Sequence, residues 1–92
     1  MSIKEKTMKK VIMFSASWCN PCKQVKPRFI QLAEEKKSVS FEVIDIDENK
    51  EQTESAGITS VPTFIIYENN IEKTRLVGSA FIKDLALMLG GE

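Results

Sequence analysis

Residues 11–23 of the chain read Val-Ile-Met-Phe-Ser-Ala-Ser-Trp-Cys-Asn-Pro-Cys-Lys and include its only two cysteines, Cys19 and Cys22. The apolar run at residues 11–14 predicts a strand. The stretch that follows predicts an amphipathic helix, because apolar side chains recur at i, i+4 and i+7, at Val25, Phe29 and Leu32. The cysteine pair therefore stands where a strand passes into a helix.

This position favours thiol–disulfide exchange. The unpaired N–H groups and the positive dipole end of a helix N-terminus stabilise an anion, so a thiolate there has a lowered pKa and is a better nucleophile. We expect Cys19 to be exposed at this terminus and Cys22, one turn further on, to be more covered. An exposed nucleophile beside a covered second thiol is the asymmetry that exchange requires.

The composition predicts one small domain over residues 1–92, with 42% hydrophobic residues. Thirteen basic residues balance thirteen acidic ones, so no net charge favours a nucleic acid or an anionic membrane as partner. The apolar run at residues 11–14 is too short for a signal peptide or a membrane span. We therefore expect a cytoplasmic protein, in which a close cysteine pair is more often catalytic or metal-binding than structural.

Zinc binding and a purely structural disulfide are the alternatives for this pair. A closed structural zinc site needs four ligands, usually sulfur or imidazole, and the chain has two cysteines and no histidine. A monomer would have to add carboxylates or water, and a dimer would have to share the site. A disulfide between residues 19 and 22 closes a very small loop and removes little entropy from the unfolded chain. Both alternatives are disfavoured, and we expect no bound metal.

The whole chain predicts the element order β-α-β-α-β-β-α. The predicted strands cover residues 11–15, 39–47, 63–67 and 71–77. The first predicted helix covers residues 20–37, and the second, which is short and poorly anchored, covers residues 49–56. The last predicted helix has Phe81, Leu85, Met88 and Leu89 on its apolar face. Asn69-Asn70 predicts a two-residue hairpin, because both residues tolerate positive φ. Right-handed crossovers place the first strands parallel, and the hairpin adds an antiparallel edge. Residues 2–8 fit neither a strand nor a helix.

This order, with Trp-Cys-Asn-Pro-Cys-Lys at residues 18–23, resembles the thioredoxin family. Pro27 inside the long helix, Val-Pro-Thr at residues 61–63 and Gly78 after the hairpin agree with the family pattern at the right separations. The resemblance runs from about residue 11 to residue 89. It implies an α/β thioredoxin fold with a mixed central sheet flanked by helices, and an N-terminus shorter by about one strand and one helix.

The resemblance also implies an activity. Cys19 would attack a protein disulfide as the nucleophile, and Cys22 would resolve the mixed disulfide, so that the pair cycles between dithiol and disulfide. No bound cofactor is needed. The expected partners are disulfide-containing protein substrates and a thioredoxin-reductase-like electron donor, and we expect a monomer.

Further site residues follow from the same resemblance. Trp18 would form a flat apolar wall beside the nucleophile, where it would contact the substrate and help to tune the site. Pro62 would be a cis-proline that turns the backbone of Val61 towards a substrate strand, and Gly78 would lie near the substrate groove. Two residues between the cysteines would tune the site. Pro21 suits a helix start, since its missing N–H costs nothing there, and Asn20 replaces the family's glycine with an effect of unpredicted sign.

One departure from the family concerns charge. Met13 stands where the family carries a buried aspartate, and Val43 stands where it carries the neighbouring lysine. Because an unpaired buried charge is costly, we expect the apolar pair Met13 and Val43 to join the core together.

Two other functions compete with this interpretation. A glutaredoxin-like protein that uses glutathione would suit the short N-terminus, but residues 77–80 read Val-Gly-Ser-Ala and lack the Gly-Gly-x-Asp pattern for the tripeptide. A redox-inactive peptide-binding module of the same fold is the second alternative, and the intact cysteine pair disfavours it.

Overall fold

A computed structural model describes residues 8–90. Its strands are β1 Lys9–Ser15, β2 Val39–Asp45, β3 Thr63–Glu68 and β4 Ile71–Val77. Its helices are α1 Asn20–Glu35, α2 Lys50–Ser55 and α3 Ile82–Met88, and a 3₁₀ turn at Ser79–Phe81 precedes α3. The predicted order of elements is confirmed. Residues 2–7, for which the sequence predicts no element, lie outside the described residues.

The four strands form one mixed sheet in the order β2-β1-β3-β4. The first two strands are parallel, as predicted, with Lys9 opposite Val39. β3 runs antiparallel to β1, and β4 runs antiparallel to β3. Since β1 has a neighbour on each side, its last residues are buried, and the chain leaves the middle of the sheet directly before the cysteines.

Apolar side chains cover both faces of the sheet. On the face that packs against α1, the Phe29 ring lies 5.2 Å from the Phe41 ring and 6.0 Å from the Phe64 ring, between centroids. The opposite face carries a smaller buried cluster of Ile12, Phe14, Ile44 and Ile65. The helix that bears the cysteines is therefore fixed against a rigid aromatic layer.

α1 and β2 each end two residues earlier than predicted, and side-chain hydrogen bonds accompany both ends. α1 stops at Glu35 because Lys36 leaves the helical conformation, and its ammonium donates to the carbonyl oxygen of Gly90. β2 stops at Asp45, whose carboxylate accepts the N–H groups of Asp47 at 2.8 Å and Glu48 at 3.2 Å. Such a local hydrogen bond stabilises a turn in competition with the strand.

The short helix α2 is weakly anchored, as predicted. Thr53 is its one buried residue, and the Thr53 hydroxyl has no hydrogen-bond partner among residues 8–90. Asn49 precedes the helix without a side-chain capping bond. A helix this short with one buried residue has little packing to stabilise it.

The predicted apolar face of the last helix is partly wrong. Leu85 and Leu89 are buried, but Phe81 is 40% exposed and Met88 is 49% exposed. The stripe that packs against the core consists of the buried Leu85 and Leu89 and the partly buried Ile82 and Ala86, at i, i+3, i+4 and i+7 from residue 82. Phe81 lies outside that stripe because it belongs to the 3₁₀ turn before α3.

The hairpin between β3 and β4 turns at the predicted residues. Asn69 and Asn70 have φ of 54° and 69°, the positive values that a two-residue hairpin turn requires.

On β4, Arg75 donates two hydrogen bonds to Glu72, at 2.7 and 2.8 Å, and these bonds lower the pKa of the Glu72 carboxyl.

Met13 and Val43 are neighbours in the sheet, but they do not share one environment. The two residues are register partners on β1 and β2. Met13 is fully buried in the cluster that contains both cysteines, whereas Val43 is 40% exposed. The expectation that both join the core is wrong for Val43, because β2 is the outer strand of the described sheet.

Candidate active site

A disulfide joins Cys19 and Cys22 at the start of α1, with 5.3 Å between their Cα atoms. Cys19 is the N-cap residue, and its sulfur accepts the backbone N–H of Cys22 at 3.2 Å. This is a position at which a side chain satisfies an otherwise unpaired helix donor. The same N–H and the helix dipole would stabilise negative charge on the Cys19 sulfur in the reduced protein.

The two cysteines differ less in exposure than predicted. Cys22 is completely buried, and only 5% of Cys19 is exposed, so the expectation of an openly exposed Cys19 is wrong. The Cys19 sulfur lies 3.8 Å from the carbonyl oxygen of Val61, and the loop that carries this carbonyl covers part of it. The remaining exposed edge still belongs to Cys19, which fits its assignment as the attacking sulfur.

The loop beside Cys19 contains the cis peptide bond Val61-Pro62, as the resemblance implies. Pro62 is buried, and the hydroxyl of Thr63 donates to the carbonyl oxygen of Ser60 at 2.7 Å, which ties the ends of the loop together. Gly78 donates its N–H to the carbonyl oxygen of Pro62 at 2.9 Å. The structure thus places Val61, Pro62 and Gly78 in one contact network beside the cysteine pair.

Trp18 lies on the surface rather than in the core, with 63% of the residue exposed. Its indole N–H donates to the carboxylate of Asp47 at 2.8 Å, across 29 positions of sequence. Asp47 is not among the site residues predicted from the sequence. Nothing in the sequence pairs it with Trp18.

Asp47→Ala should free the Trp18 ring, because the indole would lose its acceptor. Trp18 is the only tryptophan, so the steady-state fluorescence anisotropy of the folded protein reports on this ring alone. We expect a lower anisotropy in Asp47→Ala than in the parent protein. Asp47→Asn, which keeps an acceptor oxygen, is the matched control and should stay near the parent value. Equal anisotropy in the two variants would show that the hydrogen bond does not hold the ring.

The positive end of α1 is not opposed by local acidic residues. The first turn of the helix contains no acidic residue, and Asn20 and Pro21 both lie exposed at its start. Lys23 and Lys26 line a surface hollow of about 500 Å³ with Pro27 and Ile30, on the outer side of the helix. Neither cysteine borders this hollow. Exchange with a protein disulfide needs an accessible sulfur on an open surface, so the hollow is not the reaction site.

The thioredoxin family model matches residues 1–89 of the chain. The chain belongs to the thioredoxin family. It is 35% identical to thioredoxin from Mycoplasma genitalium over 68 residues, which are 74% of this chain and 67% of the relative. It is 42% identical to thioredoxin from Geodia cydonium over 59 residues, which are 64% of this chain and 56% of the relative.

The solved structure of Fasciola hepatica thioredoxin superposes with a TM-score of 0.82 at 29% identity, over 88% of this chain and 80% of that one. The mixed four-stranded sheet flanked by helices is therefore a thioredoxin fold. The matches thus span 67% of the length of the Mycoplasma genitalium relative and 56% of the Geodia cydonium relative. Family membership and the cysteine pair together support a thiol–disulfide oxidoreductase, and they do not favour the glutaredoxin-like or redox-inactive alternatives. Among residues 8–90, none of the helices has the length and hydrophobicity of a membrane-spanning segment.

Proposed function

We propose that the protein reduces disulfide bonds in other proteins. The observation that carries this proposal is the Cys19–Cys22 pair at the N-terminus of α1, in which the Cys19 sulfur accepts a helix N–H and Cys19 is the less buried of the two cysteines. A buried structural disulfide would need neither feature. Membership of the thioredoxin family supports the same reaction.

The reaction begins with both cysteines reduced. The Cys19 thiolate attacks one sulfur of the substrate disulfide, which breaks that bond, forms a mixed disulfide and releases the other substrate sulfur as a thiolate that takes up a proton. The Cys22 thiol then loses its proton and attacks the Cys19 sulfur. This step forms the Cys19–Cys22 disulfide and releases the second substrate thiolate. Two electrons have passed from the protein dithiol to the substrate.

The surroundings of Cys19 are suited to an extended substrate. The Val61 carbonyl oxygen lies 3.8 Å from the Cys19 sulfur, and Gly78 is hydrogen-bonded to the adjoining Pro62. We propose that backbone groups of Val61 and Gly78 hydrogen-bond the substrate chain as an added strand would. We propose that Trp18, which is 63% exposed, forms a flat apolar wall beside the attacking sulfur. Asn20 and Pro21 are proposed to tune the stability of the disulfide, because they form the link between its two cysteines.

Each catalytic cycle leaves the protein oxidised, so it needs a source of two electrons. We propose a thioredoxin-reductase-like donor, a monomeric protein and a cytoplasmic location, since a protein reductant needs a compartment that is kept reducing. No cofactor is assigned to the protein, because the dithiol itself carries the electrons.

The proposal is tested by two measurements on the same preparation. Insulin disulfides should be reduced faster with the protein and dithiothreitol than with dithiothreitol alone, and the Cys19→Ser/Cys22→Ser double variant should add nothing. The reduction potential of the disulfide against glutathione should lie at or below the cytosolic range of about −220 to −260 mV. No acceleration of insulin reduction, or a potential near the value of about −120 mV of strong oxidants, would contradict a protein reductant.

A further inference from the structure

Phe81 is an exposed aromatic residue that no structural role explains. Its residue surface is 40% exposed, whereas Leu85 on the following turn is completely buried. It occupies the N-cap position of α3 and makes no side-chain capping bond. Ser, Thr, Asp and Asn are strongly preferred at such positions. The phenyl ring therefore neither completes the core nor caps the helix.

A series of short contacts connects this ring to the cysteine pair. The Cys19 sulfur lies 3.8 Å from the carbonyl oxygen of Val61. The next residue, Pro62, accepts the N–H of Gly78 at 2.9 Å, and Gly78 accepts the N–H of Phe81 at 3.3 Å. The Phe81 ring lies beside Gly78, since a Cβ atom built on that glycine would be 3.6 Å from Cδ2 of the ring. Phe81 thus extends the substrate side of the site beyond Gly78.

The conformation of Gly78 keeps this arrangement open. Its φ is +119°, a value that residues with a side chain rarely adopt. Because glycine has no side chain, no Cβ atom covers the backbone between the Val61 loop and the Phe81 ring. A substrate strand that pairs with the Val61 backbone and continues over Gly78 would bring one of its side chains towards the ring.

We propose that Phe81 selects substrates with a large apolar side chain next to the attacked cysteine. This inference rests on the proposed function, because the covalent step at Cys19 brings that part of the substrate to the ring. The ring offers no hydrogen-bond partner, so a polar side chain would lose water there without compensation. An apolar side chain would instead bury its own surface and that of the ring, which is favourable. The neighbouring exposed Val77 adds to the apolar surface on this side of Gly78.

The test uses two synthetic peptides, each closed by one disulfide, that differ only in the residues flanking the cysteines, leucine in one and serine in the other. The unchanged protein should reduce the leucine peptide with a kcat/KM roughly five- to thirtyfold higher, as expected for burying part of one large apolar side chain. Phe81→Ala should lower kcat/KM for the leucine peptide far more than for the serine peptide. Phe81→Leu, which keeps an apolar side chain, should retain most of the preference.

Leu87→Ala is the matched control, because Leu87 is a 77% exposed apolar residue on α3. It should leave the preference unchanged. Equal kcat/KM values for the two peptides with the unchanged protein would overturn this inference alone, and so would an equal loss for both peptides in Phe81→Ala. Reduction of neither peptide by the unchanged protein would overturn the proposed function, and this inference with it.

Discussion

Cys22→Ser should hold a protein substrate as a stable mixed disulfide, whereas Cys19→Ser should hold none. In Cys22→Ser the Cys19 sulfur can still attack, but no second thiol remains to release the substrate. In Cys19→Ser the remaining thiol lies on a completely buried residue and cannot reach a protein disulfide. Non-reducing electrophoresis and mass spectrometry after incubation with an oxidised protein measure the adduct directly. Multiple turnover should fall to the uncatalysed level in both variants.

The assignment of Cys19 as the attacking cysteine also predicts which thiol of the reduced protein is alkylated faster. Iodoacetamide should label Cys19 faster than Cys22 near neutral pH, because Cys19 has the exposed edge and the helix N-terminus favours its thiolate. The difference in exposure is small, 5% against 0%, so the rate difference should come mainly from thiolate stabilisation. Faster labelling of Cys22, or an adduct in Cys19→Ser, would reverse the roles of the two cysteines.

Local sequence patterns are sufficient to predict the order of helices and strands and the position of the cysteine pair between a strand and a helix. The strand before Cys19 and the helix after it follow from apolar periodicity, and the hairpin follows from two residues that tolerate positive φ. The contact of Cys19 with Val61 joins residues 42 positions apart. No local pattern contains it, and only the family resemblance pointed to that loop.

The same limit explains the predictions that failed. Cys19 is less exposed than predicted because the Val61 loop, a distant part of the chain, lies beside its sulfur. Phe81 falls at i−4 from Leu85, so helical periodicity alone places both on one face. The structure begins this segment with a 3₁₀ turn, which changes the direction of the Phe81 side chain. A sequence pattern does not specify where a 3₁₀ turn gives way to an α-helix.

Met13→Asp should destabilise the protein by a few kcal/mol near neutral pH. Met13 is completely buried in the cluster that contains Cys22, so a carboxylate at this position would lose its water. Desolvation would raise the pKa of this carboxyl above its unfolded value of about 3.9. Above that value the folded state would bind more protons than the unfolded state, so stability would fall as pH rises. The part of the loss that comes from the charge should be small in acid and largest near neutrality, in addition to the pH-independent cost of a smaller, polar side chain in the core.

Met13→Asn is the matched control, because the asparagine side chain resembles that of aspartate in size and polarity but has no titrating group. Denaturant unfolding across pH should give a steeper loss for Met13→Asp than for Met13→Asn, and the difference between them isolates the charge. A Met13→Asp protein as stable as the parent at neutral pH would show that a charge at position 13 is not desolvated.

Adding Val43→Lys should recover part of the lost stability. Val43 is the register partner of Met13, and its 40% exposure lets a lysine keep its ammonium partly in water while it approaches the new carboxylate.

The carboxylate of Met13→Asp should also speed release of the substrate, because it could accept the proton that Cys22 must lose. The parent has no such group at position 13, so its mixed disulfide should resolve slowly near pH 7 and faster as pH rises. Stopped-flow measurement of this step in the parent and Met13→Asp should therefore show the larger rate in the variant near neutrality. Equal rates at every pH would mean that the proton of Cys22 leaves by a route that does not involve residue 13.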